Sequence, residues 1–129
     1  QAQEWAGTVK AVNGTATVER GGKVLPLNVG SKVFSGDKLV TGQDSHIALT
    51  LRDDTLISTG EKSQLALKEF AFNASTHEGS LFISVLRGVS AMVSGLVAKA
   101  NPNAMRVSTP NATIGIRGTE FIVEVNGDM

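Results

Sequence analysis

Apolar and polar residues alternate at every second position along much of this chain. The alternation is clear over residues 45–52 and again over residues 119–125, where Phe121, Val123 and Val125 fall on one face. A strand places successive side chains on opposite faces, whereas a buried helical face needs apolar residues three and four positions apart. These segments are therefore predicted to be half-buried β-strands.

Turn residues divide the alternating segments at short intervals. The dipeptide Asn13-Gly14 stands between two such runs, and Asn-Gly is a strong hairpin signal because both turn residues need positive φ. We therefore predict a hairpin at this point. Further turn signals follow at Gly21-Gly22, Gly30, Ser35-Gly36-Asp37, Thr41-Gly42 and Arg52-Asp53-Asp54. Many short strands separated by such signals predict an all-β fold.

One region has apolar residues at helical spacing, over residues 89–97. The two glycines within and beside it each weaken a helix by about 1 kcal/mol relative to alanine. We therefore expect a strand up to about Ser94, followed by one short helix at Leu96–Ala100. Pro102 should end this helix, because the residue before a proline avoids the α conformation.

A second irregularity lies earlier in the chain, where the phase of the alternation changes. Leu65 and Leu67 share one phase, but Phe70 and Phe72 fall in the other. An extra residue in one strand of a pair produces such a change. The sequence therefore predicts a bulge or corner at Lys68-Glu69.

Composition excludes several classes of function. The 12 Lys and Arg residues equal the 12 Asp and Glu residues, whereas a general nucleic-acid binder needs an excess of positive charge. Aromatic residues make up 5% of the chain, with one Trp and no Tyr, which argues against base stacking. Cysteine is absent, so the chain has no disulfides and no thiol nucleophile. No apolar run reaches about 18 residues, so this segment is not expected to insert into a membrane.

The two ends of the sequence give expectations about its organisation. We expect one domain over residues 5–125, preceded by a flexible N-terminus at residues 1–4. The chain does not begin with Met, which favours a mature exported protein that has lost its signal peptide; an arbitrary boundary is the alternative. Residues 126–129 repeat the hairpin signal without a returning strand and are interpreted as a truncated end.

No catalytic motif is found in the sequence. It contains no nucleophile elbow and no dinucleotide fingerprint, and the glycine-rich segment over residues 30–38 lacks the spacing of a phosphate loop. His46 and His77 lie far apart, and Asp53-Asp54 is more typical of a tight turn than of a metal site. We therefore predict a protein that is not an enzyme and has no cofactor or metal ion.

The most unusual segment spans residues 107–121. Pro110 lacks a backbone donor and should end a strand, while Gly115 and Gly118 bracket Arg117 among apolar neighbours. With its five donors, Arg117 is expected to reach buried carbonyls or a carboxylate as a structural pin across a β corner. Recognition of an acidic group on a partner is the alternative.

The same segment resembles the threonine-proline and glycine-valine-arginine-glycine-threonine-glutamate-phenylalanine motif of FecR-domain proteins. The N-terminal half is similar too, and the resemblance covers residues 5–125. The residues that follow the family motif are Gly36, Asp37, Thr41, Gly42, Thr109, Pro110, Gly115, Arg117, Gly118, Thr119, Glu120 and Phe121. We interpret them as residues that define the fold rather than as binding residues.

The resemblance implies an exported all-β domain of short strands, wound as a solenoid or β-roll or packed as a sandwich. Named members are sigma-factor regulators that relay a signal from an outer-membrane transporter, as in ferric citrate uptake, and iron is not an expected ligand. We predict a periplasmic or secreted protein-interaction or sensor domain of the bacterial envelope, with another envelope protein as partner. The alternative is a small-ligand or glycan-binding β domain of an exported surface protein.

Overall fold

The computed structural model describes residues 5–115 and 118–126. The predictions for residues 1–4, for Arg117 and for residues 127–129 lie outside the described residues. The described strands are β1 (Gly7–Asn13), β2 (Ala16–Arg20), β3 (Lys23–Pro26), β4 (Lys32–Val33), β5 (Lys38–Thr41), β6 (His46–Leu51), β7 (Leu56–Thr59), β8 (Gln64–Phe72), β9 (Gly79–Val93), β10 (Met105–Thr109), β11 (Ala112–Gly115) and β12 (Glu120–Val125). A single helix, α1 (Leu96–Ala100), and a 3₁₀ turn at Pro102–Ala104 complete this part of the chain. The predicted all-β class with one short helix is confirmed.

The strands form one curled sheet with two walls that share β9. The first wall has the order β3-β2-β5-β8-β9-β10-β11, and the second has the order β4-β1-β6-β7-β9-β12. Described neighbours are antiparallel, except that β10 runs parallel to β9. The first half of β9, up to Arg87, pairs with β8, and its second half, from Gly88, pairs with β12. The long strand therefore passes from one wall into the other.

The predicted hairpin at Asn13-Gly14 is wrong. β1 pairs with β4 and β6 in the second wall, whereas β2 pairs with β3 and β5 in the first. Gly14 does have a positive φ of 82°, but its Cα lies so close to Ser45 that an added Cβ would meet that side chain. The Thr15 N–H donates to Ser45 Oγ at 2.8 Å. The glycine therefore directs the chain from one wall to the other.

The two predicted irregularities are confirmed. The register of β8 against β9 shifts between Leu67 and Glu69, which is the bulge that the change of phase indicated. β9 ends at Val93 and α1 follows at Leu96–Ala100, with Asn101 extended before Pro102. Both irregularities could be predicted from short stretches of the sequence, because each depends on residues that are close together along the chain.

Both walls bury their inner faces in one hydrophobic core. The apolar residues of the alternating segment in β6 (Ile47, Leu49 and Leu51) are buried, as is Val123 of β12. The first wall contributes residues from β2, β5, β8, β9 and β10, including Val18, Leu39, Leu65, Ile83 and Val107. Burial of this kind is the main stabilising contribution in a domain of this size.

A repeat that our reading of the sequence missed relates β5 and β6 to β7 and β8. Gly42 and Ser45 recur at the same spacing as Gly60 and Ser63. In each copy the glycine N–H donates to the C=O of a residue far along the chain, and the serine Oγ accepts from the N–H of that same residue. That residue is Thr15, between β1 and β2, in the first copy (3.0 and 2.8 Å) and Val89 of β9 in the second (2.9 and 3.3 Å). The recurring Thr-Gly-x-x-Ser pattern was the sequence signal from which this repeat could have been predicted.

Candidate functional site

Gly36 and Asp37 form the turn that leads into β5. Gly36 has a φ of 94° with open space beside its Cα. Asp37 is 1% exposed, and its Oδ1 and Oδ2 accept hydrogen bonds from Arg20 Nε and Nη2 at 2.9 and 2.8 Å. The Phe34 N–H donates to Asp37 Oδ2 at 2.8 Å, and the guanidinium of Arg20 lies 4.7 Å from the ring centroid of Phe34. The acid therefore holds β2, β5 and this turn together.

The ion pair between Arg20 and Asp37 also affects protonation. The hydrogen bonds that Arg20 donates to Asp37 raise the pKa of Arg20 above its ordinary value, against desolvation that lowers it, and the charge of Asp37 adds to the increase. A raised pKa means that the contribution of Arg20 to stability is fully present below the unfolded pKa. It would be lost only as the pH rises through the folded pKa, far above neutrality.

The substitution Asp37→Asn is expected to lower the free energy of unfolding by roughly 2–3 kcal/mol, as measured by urea denaturation. The loss stays below that of a fully buried pair because the side chain of Arg20 is 36% exposed. The control is Glu19→Gln, which removes a pair with Lys38 that is 3.8 Å long and solvent-exposed; it should cost less than about 0.5 kcal/mol. Equal losses in the two variants would contradict a structural role for Asp37.

Thr41 and Gly42 lie at the other end of β5. Thr41 Oγ1 donates to the Gly60 carbonyl at 2.6 Å and accepts from the Ser63 N–H at 2.9 Å. The Thr41 N–H in turn donates to the Ser63 carbonyl at 3.0 Å. These contacts join the two copies of the repeat, and every polar atom of the Thr41 side chain is used in them.

The second part of the motif begins at the turn between β10 and β11. β10 ends at Thr109, immediately before Pro110, as predicted, and Thr109 faces Ala112 across the hairpin. The Asn111 N–H donates to Thr109 Oγ1 at 3.4 Å. Gly115 is the last residue of β11 and pairs with β10. This part of the motif forms a turn and one short strand.

The chain then approaches the end of β9. The Ser94 N–H donates to the Thr119 carbonyl at 2.7 Å, and Ser94 Oγ donates to the Gly118 carbonyl at 3.4 Å. Glu120 and Phe121 follow as the first residues of β12. Arg117, the predicted pin, lies outside the described residues. The described motif residues thus occupy separate turns and strand ends of the two walls.

β12 is the outer strand of the second wall. Its partner is the second half of β9, with Phe121 opposite Met92 and Val123 opposite Ser90. In the described part of the chain, no strand pairs with its other side. Ile122 is 71% exposed, although it is the largest apolar side chain on the outward face of the strand. In the sequence, Ile122 alternates with the inward-facing residues of β12 and shares its face with the two glutamates of this strand. This exposed apolar position could have been recognised from the sequence, but it was not predicted.

Apolar side chains continue from Ile122 across the outer face of the second wall. Ile122 lies opposite Ala91 of β9, and Val93 of β9 lies opposite Leu56 of β7. Leu56 is 46% exposed, and Val89, further along β9, is 40% exposed. A shallow groove of about 530 Å³ runs along this face between β7 and β12. A strip of apolar side chains therefore adjoins the outer side of β12.

An aromatic cluster lies elsewhere on the surface. Lys32 Nζ lies 4.1 Å from the ring centroid of Trp5, and the guanidinium of Arg52 lies 5.6 Å from Trp5 and 5.3 Å from Phe70. Phe72 extends the cluster, with its ring centroid 6.5 Å from that of Phe70. Two grooves, of about 460 and 430 Å³, adjoin it. Sequence reasoning missed this cluster because its members are far apart along the chain.

The fold and these surfaces define an all-β domain that presents an open strand edge and shallow grooves. Residues 37–129 match the family model described as FecR protein, and the chain belongs to this family. The resemblance predicted from the motif is thus confirmed for most of the chain, while residues 5–36 lie outside the matched segment. No curated protein and no solved structure matches the sequence. Within the described residues, no helix has the length and apolar character needed to cross a membrane.

Proposed function

We propose that this protein is a non-enzymatic interaction domain of the signalling or sensor type in the bacterial cell envelope. It occupies residues 5–125 as one domain, is exported to the periplasm or secreted, and binds another envelope protein. Membership of the FecR family supports the signalling class. The open outer side of β12, with Ile122 71% exposed, is the observation that carries the interaction function.

The surface supports protein binding more than chemistry on a small substrate. Unpaired strand edges are ready templates for another chain, and apolar surface beside such an edge adds contact area. Two acidic groups at turns, Asp37 and Asp53, are both buried and accept hydrogen bonds from neighbouring donors. They therefore hold turns in place and do not face the grooves.

Capture from an envelope fraction tests the proposed function. The immobilised domain is expected to retain one protein reproducibly, and the purified protein should then bind the domain saturably in calorimetry. The control bait is an unrelated β domain of similar size and zero net charge. If no protein is retained by the domain above this control, the proposed interaction function is wrong.

A second candidate function, glycan or small-ligand binding, is favoured by the aromatic cluster. Trp5 is 39% exposed and lies between Lys32 and Arg52, an arrangement that offers a ring face beside positive charge. Trp5 is also the single Trp of the chain, so its fluorescence reports directly on this cluster. A glycan that shifts this fluorescence and raises the melting temperature, in a domain that captures no protein, would establish the second function in place of the first.

A further inference from the structure

We propose that the outer side of β12 binds an extended segment of the partner protein in which two basic residues flank an apolar residue at alternate positions. The partner segment would add one strand to the second wall. This inference rests on the proposed interaction function and names its binding surface and the chemistry of its partner.

The backbone of β12 determines which groups are open. The Ser94 N–H donates to the Thr119 carbonyl, which makes this pair a hydrogen-bonded one. In an antiparallel pair the hydrogen-bonded residues alternate with residues whose N–H and C=O point away. Phe121 and Val123 therefore bond to β9, and the intervening Glu120, Ile122 and Glu124 direct their backbone groups outward.

Pairing on the opposite side of β9 agrees with this assignment. The Gly60 N–H donates to the Val89 carbonyl at 2.9 Å, which places Val89, Ala91 and Val93 of β9 in hydrogen bonds with the β7 side. The alternate residues of β9 then face β12, as the contact from Ser94 requires. Three outward N–H groups and three outward C=O groups thus line the edge of β12.

Other described edges carry features that disfavour strand addition. β3 contains Lys23 and Pro26 and is exposed along its whole length, and both residue types block edge pairing. β4 has only two residues, and β11, the outer strand of the first wall, has four and ends at Gly115; short edge strands offer little backbone for pairing. β12 has six residues, with no Lys, Pro or Gly among them. It is therefore a long edge without these protective residues.

The charges on β12 determine the partner. Glu120 lies opposite Val93 and Glu124 opposite Val89, and neither glutamate takes part in the ion pairs found among the described residues. Opposite charges on directly facing residues of neighbouring strands stabilise the pairing, and like charges destabilise it. Basic residues facing Glu120 and Glu124 would neutralise both, while an apolar residue would face Ile122.

The same charges disfavour a second copy of this chain. In an antiparallel pair of β12 strands centred on Ile122, Glu120 of each copy would face Glu124 of the other. Both contacts would then be repulsive. The charges on β12 therefore favour pairing with a basic strand over pairing with β12 of a second copy.

Two short synthetic peptides of alternating pattern test the inference, one with lysines and one with glutamates flanking a central valine. Hydrogen exchange followed by NMR is the readout. In the free domain the amides of Glu120, Ile122 and Glu124 should exchange quickly, and those of Phe121 and Val123 slowly. The basic peptide should slow the first three, and it should bind about tenfold more tightly than the acidic one.

Charge reversal supplies matched controls. Glu124→Lys should weaken binding of the basic peptide, whereas Glu78→Lys, which makes the same change of charge on an exposed loop residue, should not. The double variant Glu120→Lys with Glu124→Lys should prefer the acidic peptide. These residues are exposed, so the variants are expected to fold, and the exchange pattern of the core verifies this.

Several outcomes would overturn the inference. Equal binding of the two peptides, or protection at other amides, would show that β12 is not the binding edge. Slow exchange of the three outward amides in the free domain would show that the edge is already covered. If that protection is independent of protein concentration, another part of this chain covers the edge. If it increases with concentration, a second copy covers it. If the envelope partner binds wild type and double variant equally, the interaction function holds and this surface is wrong.

Discussion

Replacing Gly88 by alanine is expected to lower the free energy of unfolding by roughly 3–5 kcal/mol, a large part of the stability of a domain of this size. Gly88 has a φ of 90°, in the left-handed region that side chains disfavour. An added Cβ would also lie 2.6 Å from Ser63 Cβ and 2.7 Å from Ser63 Cα. Both penalties act where β9 passes from the first wall to the second. Urea denaturation of the purified variant measures the loss.

The matched control for this prediction is Gly21→Ala. Gly21 also has a positive φ, of 58°, but an added Cβ would meet nothing within 4 Å. This variant therefore isolates the conformational penalty, and about 1–2 kcal/mol is expected. Equal losses at Gly21 and Gly88 would show that the close approach to Ser63 contributes nothing to stability.

Replacing Asp53 by alanine should cost a similar amount, roughly 3–5 kcal/mol, because several buried donors lose their acceptor together. Asp53 is fully buried, at 0% exposure. Its Oδ1 accepts from the Thr55 N–H at 3.1 Å, and its Oδ2 accepts from Thr55 Oγ1 at 2.9 Å and from the Val97 N–H at 3.1 Å. The carboxylate thus joins the turn before β7 to the start of α1. Urea denaturation gives the loss, and hydrogen exchange at Val97 shows whether this contact is the one removed.

The neighbouring residue provides the control for Asp53. Asp54 is exposed and has a φ of 71°, a conformation that glycine adopts more readily. Asp54→Gly removes the adjacent carboxylate and should change stability by less than about 0.5 kcal/mol. If Asp53→Ala were as well tolerated as Asp54→Gly, the network at the start of α1 would have no stabilising role.

The sequence was informative wherever structure depends on nearby residues. The inward faces of β6 and β12, the bulge after Leu67 and the helix at Leu96–Ala100 all follow from local periodicity and from the conformational preferences of glycine and proline. The predicted turn function of Asp53 is confirmed as well, since its side chain accepts from the Thr55 N–H two positions on. Local periodicity does not predict to which of the two walls each strand belongs.

The failed hairpin at Asn13-Gly14 illustrates this limit. The dipeptide correctly signals a positive φ at Gly14, but a turn conformation does not specify which strands pair beyond it. Pairing is decided by the approach of Gly14 to Ser45, far along the chain. Gly88 and Ser63 make the corresponding approach, so two such contacts set the course of the chain between the walls.

The candidate site was predictable only in part. The family motif led to Glu120 and Phe121 at the start of β12, but its other described members lie in separate turns and at strand ends. The exposed Ile122 was visible as an apolar residue in a polar phase of the alternation. That β12 forms an edge could not be read from the sequence, because it depends on the place of the strand within the sheet.

The shared strand β9 has a consequence for how the domain loses its structure. Residues 79–87 pair with β8, whereas residues 88–93 pair with β12 and residues 90–93 pair also with β7. Separation of either wall would leave half of this strand without neighbours and would expose the core that both walls enclose. The walls are therefore expected to melt as one cooperative unit, in which ligand bound at β12 stabilises the distant first wall as much as the second.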